Sequence, residues 1–87
     1  MIQYKGGDGS SKEKGIIIFG AKNEFEGVDA EYTWLEQKYG NAEVDWEMID
    51  QTLLDEGDRQ FDLLRRKFLS GETKEFWFDI TEFYGKK

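Results

Sequence analysis

The sequence predicts an α+β domain: an antiparallel β-sheet in the order β-β-α-β-β-β, ending in a C-terminal meander, with one main helix packed on one face. Three observations predict it. Residues 26–39 repeat apolar side chains at helical spacing, and residues 74–80 alternate apolar and polar side chains. Between them, two Gly-centred turns cut the chain into lengths that suit strands. With 87 residues there is enough chain for a single domain, 1–87, and not for two. Seven Phe, four Tyr and three Trp supply large rings to a small core.

Taken in order, Ile2–Tyr4 is a short first strand and Ile16–Phe19, the longest apolar run, a buried second one. The segment 6–15 between them holds four of the ten glycines and predicts a tightly turned connection. Val28, Tyr32, Leu35 and Tyr39 recur at spacings of 4, 3 and 4 and predict the buried stripe of a helix from Glu26 to Tyr39, with Ala30 and Trp34 beside it. Gly40-Asn41 is a helix stop signal. Residues 43–70 fit two descriptions. Trp46, Ile49 and Leu53, then Phe61, Leu64 and Phe68, space as helices, and few residues here are β-branched. The turns at Glu56-Gly57-Asp58 and Ser70-Gly71-Glu72 instead favour strands over Trp46–Leu54 and Gln60–Leu69. Phe76, Phe78 and Ile80 place the last strand's buried face opposite Trp77, and Thr81 is a candidate cap for a terminal turn.

Two absences bound the chemistry. Without Cys there is no disulfide framework. Without His as well, Cys/His zinc sites, Ser-His-Asp triads and Cys-His dyads cannot be built within this chain. Nothing indicates a cofactor or a metal, and no set of carboxylate, Lys or Tyr groups converges on a catalytic arrangement. No apolar run approaches the roughly 18 residues of a membrane span, and the first residues lack the apolar core of a signal peptide. A soluble, cytoplasmic protein with no membrane partner is the expectation.

The net charge of −7 resides in one block. Residues 43–62 carry Glu43, Asp45, Glu47, Asp50, Asp55, Glu56, Asp58 and Asp62 against Arg59 alone, whereas the flanking segments nearly balance. Such a block repels a phosphate backbone, so nucleic acid is not an expected partner. It fits a solvated face or recognition of a basic patch on a protein. The calcium-loop spacing of an EF-hand is absent around Asp55-Glu56-Gly57-Asp58.

A family resemblance adds to this. The segments Tyr4-Lys5-Gly6-Gly7-Asp8-Gly9-Ser10-Ser11, Gly27-Val28-Asp29-Ala30-Glu31-Tyr32 and Phe78-Asp79-Ile80-Thr81-Glu82-Phe83-Tyr84-Gly85-Lys86 resemble a family of small uncharacterised bacterial proteins. The likeness spans nearly the whole chain. It implies a free-standing bacterial protein with a β-meander and implies no activity. The chain departs from it at Arg65-Arg66-Lys67, where a more apolar strand is expected.

Four groups of residues are candidates for binding. In the Gly-rich segment, Gly7, Gly9, Lys12 and Lys14 offer a weak anion nest, but the segment fails the phosphate-loop pattern in spacing and in the strand that follows it. The acidic block offers Asp50, Asp55, Glu56, Asp58 and Asp62. In the basic triplet, strand alternation sends Arg66 toward the core side with Leu64 and Phe68, there to snorkel, to pair with a carboxylate across the sheet, or to enter an interface. Trp46 and Trp77 are aromatics that one core face does not absorb; Trp77 is either exposed as a binding contact or covered by a loop, by the N-terminal strand, or by a second subunit in a homodimer. The function these features favour is a small acidic protein-interaction or regulatory module without catalysis of its own. The alternative is a small-ligand or anion binder using the loop 6–15.

Overall fold

The computed structural model describes residues 1–85; Lys86, the last residue of the C-terminal segment quoted above, lies outside them. The elements are β1 (Gln3–Gly6), β2 (Ile16–Phe19), α1 (Glu24–Tyr39), β3 (Trp46–Asp55), β4 (Gln60–Phe68) and β5 (Thr73–Asp79). The fold is α+β, and residues 43–70 take the strand option. The turns decide it: Glu56 donates to the Arg59 carbonyl across the first, and Phe68 to the Glu72 carbonyl across the second. Each turn returns the chain beside itself, so β-branched content matters less than cross-strand pairing.

One five-stranded sheet results, in spatial order β1-β2-β5-β4-β3. Neighbours run antiparallel except β2 and β5, which are parallel through Ile16↔Phe78 and Ile17↔Asp79. The last strand therefore lies at the centre of the sheet and joins the N-terminal pair to the meander. β3 pairs with β4 alone and forms one edge, with a β-bulge between Met48 and Asp50.

The helix begins earlier than its apolar spacing predicts. Asn23 caps it, its Oδ1 accepting from the Glu26 amide at 2.9 Å while Glu26 reaches back to the Lys22 amide. This reciprocal arrangement leaves fewer orphan donors at the first turn. The buried stripe also differs from the predicted one. It consists of Gly27, Ala30, Glu31, Trp34 and Leu35, with Val28, Tyr32 and Tyr39 only half buried. Gly27 belongs to it because the Phe83 ring lies directly against its backbone, where any β-carbon would collide. A 100°-wide stripe can include a glycine and an acid, which a search for apolar residues overlooks.

Beneath α1 the core gathers Ile16, Ile18, Leu64, Phe76, Phe78, Ile80 and Phe83. Trp34 meets Phe76 and Phe78 edge-on at 6.1 and 5.7 Å. The second face of the sheet is partly covered as well. Phe61 is fully buried there, with the Trp77 ring 6.1 Å away, Arg59 over its face and Gly15 beside it. Trp77 is half buried, and the loop 6–15 meets β5 through its backbone, the Trp77 amide donating to the Gly9 carbonyl at 2.8 Å. Thr81 is not a helix cap. Its hydroxyl donates to Asp79 and accepts from the Gln60 amide, which ties the ends of β4 and β5 together.

Candidate functional site

The acidic block becomes the β3–β4 hairpin and the turn that precedes it, but its charges are not equivalent. Asp45 accepts from the Asn41 amide beside the helix C-terminus. Asp50 pairs with Arg65 at 3.2 Å, and Arg65 reaches Glu75 at 3.5 Å on its other side. Glu56 pairs with Lys12 of the Gly-rich loop. Asp55 accepts from the Gly57 amide and from Gln60, bonds that hold its carboxyl below the usual range, the Gln60 bond most. Glu43, Glu47 and Asp58 are exposed. Along β3 only Trp46 is buried and the remainder is largely open to solvent, including Ile49 and Leu53 at 45% and 50% exposure.

Several predicted binding residues are inside the protein. Trp46 is buried and donates through its indole N–H to the Gly40 carbonyl at 2.7 Å; the turn at 41–45 brings it back over the helix end. Asp62 is buried on the helix side of β4, next to Glu31. Arg66 is the largest fully buried side chain among the described residues. Asp50, Asp55, Glu56 and Asp58 remain accessible, and Trp77 is half exposed.

Arg66 projects to the core side, as strand alternation predicts, yet it has no carboxylate partner. Its guanidinium lies 4.2 Å from the ring centre of Phe76, 4.4 Å from Trp46, 4.9 Å from Tyr39 and 5.1 Å from Phe68. None of its nitrogens has a hydrogen-bond acceptor. Burial pulls its pKa down to about 10, so it remains charged at neutral pH. Four ring faces replace water around the cation, each contact worth on the order of 1 kcal/mol. Its neighbours Tyr39 and Trp46 also set it beside the last turn of α1, where the helix dipole favours positive charge. The departure from the apolar pattern at Arg65-Arg66-Lys67 is thus absorbed by an aromatic box.

Glu31 was not foreseen as a special residue. It is fully buried against Asp62, and neither carboxylate oxygen has a hydrogen-bond partner. Burial first, and then the Asp62 carboxyl, push its pKa up to about 11, so the group is a neutral acid in the folded protein. Asp62 lies four residues from Arg66 along β4, on the order of 13 Å in an extended strand, too far for these charges to neutralise one another. The only signal in the sequence was position: Glu31 lies four residues from both Gly27 and Leu35, in the middle of the true stripe.

The Gly-rich loop is largely closed on itself. The amides of Gly7 and Gly9 donate to the Gly15 and Lys14 carbonyls, those of Lys14 and Gly15 to the Ser11 and Lys12 carbonyls, and that of Ser10 to Asp8. These five donors are unavailable to an anion. Lys12 is engaged by Glu56, which leaves Lys14 of the two predicted lysines. A groove of about 500 Å³ lies on the other flank, between this loop and the C-terminal half of α1, with Lys5 and Lys38 in its wall. Among the described residues no group of three or more acids could hold a metal ion, and no helix is long and apolar enough to cross a membrane. Compared with known protein families, curated proteins and solved structures, the chain matches none.

Proposed function

We propose that the chain is a small acidic protein-interaction or regulatory module, without catalysis of its own, whose partner carries a basic patch. The observation that carries this reading is the distribution of acid on β3. Glu43 and Glu47 stand exposed near one end and Asp58 just beyond the other, on an element with little cover from the rest of the fold. Lys67 stands opposite Glu47 across the ladder and Arg59 follows Asp58, but acids outnumber bases over residues 43–62 by eight to one, and the excess negative charge projects a field that steers and orients a cationic surface. The carboxyl groups of Glu31 and Asp62 lie together and are buried, which supports an architectural part for them rather than a reaction with a substrate.

The test is affinity capture from the native host's lysate at low and high salt, repeated with a Glu47→Lys/Asp58→Lys variant. A specific basic partner should be retained at about 50 mM salt and released toward about 500 mM, as the Debye length shortens. The charge-reversed variant should fail to retain it at either concentration. Capture of no basic protein under any of these conditions would remove the basis for the proposal.

A further inference from the structure

We infer that the acidic hairpin receives its partner as an added β-strand: a basic, extended peptide segment pairs with the free edge of β3. This rests on the acidic-module reading and adds to it a backbone mode of recognition. β3 is ten residues long, lies at the sheet margin and has β4 as its only paired strand. Natural sheets usually blunt such an edge with Pro, Lys, short length or cover. This one contains no Pro and no Lys, and its bulge sits toward one end.

The direction of its backbone groups follows from the turn. Glu56 donates to Arg59, and the register then pairs Leu54 with Phe61 and Thr52 with Leu63. Alternation along an antiparallel ladder aims the backbone groups of Asp55, Leu53 and Gln51 away from β4, toward a new strand. The side chain of Leu53 is half exposed beside them, and Ile49 adds a second apolar contact on the same strand.

Charge selects the occupant. Glu47 and Asp55 lie eight residues apart, on the order of 26 Å along a strand. A segment of about nine residues, with Lys or Arg at both ends and apolar residues between, spans that interval and answers both carboxylates. A second copy of this chain is disfavoured. Antiparallel pairing about Gln51 would set Glu47 of each copy against Asp55 of the other, like charge against like charge. The acids at the two ends therefore discourage self-association while leaving the edge open to a cationic strand.

The probe is the synthetic peptide Lys-Lys-Val-Thr-Val-Thr-Val-Lys-Lys, titrated into the full chain at low salt and followed by amide hydrogen exchange. Saturation should slow exchange at Gln51, Leu53 and Asp55 at least tenfold. N-methylation of alternate peptide bonds, which removes donors and leaves every charge in place, should weaken binding at least tenfold. Leu53→Pro should do the same, and the methylated peptide keeps the test valid if that variant does not fold. Equal binding of methylated and unmethylated peptides, or protection confined to other elements, would overturn strand addition while leaving the acidic module standing. Failure of the unmethylated peptide to bind at low salt would overturn both.

Discussion

Glu31 makes the stability of this protein respond to pH in an unusual direction. Its carboxyl is protonated in the folded chain up to about pH 11, whereas in the unfolded chain it ionises near the ordinary value of 4.5. Below that value both states hold the proton, and the group imposes no charge-burial cost. As pH rises above about 4.5 the unfolded chain releases the proton and the folded chain retains it, so stability falls. Asp79 works in the opposite sense. Burial would raise its pKa, but the bonds from Thr81 and Arg59 outweigh that and hold it low, so its contribution is lost as pH falls. Glu31→Gln keeps the shape and offers Asp62 an amide donor without a titrating proton. Thermal melts of that variant between pH 4 and 9 should show the decline above about pH 4.5 flattened, with a gain of ~1–4 kcal/mol at neutral pH. The acid limb should remain. An unchanged profile would mean that Glu31 does not titrate as described.

The loop from Gly6 to Gly15 acts as a structural brace. Its Gly9 carbonyl accepts from β5, its Lys12 reaches the tip of the β3–β4 hairpin, and Gly15 lies beside the buried Phe61. Gly9 is buried at φ +84°, and a β-carbon there would lie 2.7 Å from Ile16 Cδ1. Gly9→Ala should cost ~2–3 kcal/mol in urea unfolding, the sum of backbone strain and overpacking. Gly57→Ala, at a turn where nothing lies within 4 Å, should cost only the conformational part, ~1 kcal/mol. Similar losses at both positions would mean that the loop packs nothing.

The same elements show what was legible in the sequence. The alternation at Phe76, Phe78 and Ile80 fixed both faces of β5, because strand period leaves no other arrangement. It also sent Arg66 inward even though a cation there runs against composition. The helix was found but rotated, because Gly27 and Glu31 are buried for reasons of shape and neighbourhood that hydropathy does not encode. The acidic hairpin was legible as a charge block. Which acids were free was not, since Lys12, Arg65 and the Asn41 amide come to Glu56, Asp50 and Asp45 only through the fold.

At the scale of the whole molecule, the central position of β5 orders events in time. β3, β4 and β5 are consecutive antiparallel strands joined by short turns, so they can form from neighbouring sequence alone. β2 must wait: Ile16 and Ile17 pair with Phe78 and Asp79, so a long stretch of chain closes in that one step. Loop-closure entropy makes such pairing late and slow compared with a hairpin. Substitutions in the meander, such as Leu64→Ala, should slow refolding in stopped-flow experiments, whereas Ile18→Val should mainly speed unfolding. The reverse assignment would place β1 and β2 in the folding nucleus. On a ribosome, the first nineteen residues and α1 would emerge long before the strand that seats them. The nascent chain would then hold its earliest apolar run, Ile16–Phe19, with β1 as its sole available sheet partner until synthesis had passed Asp79.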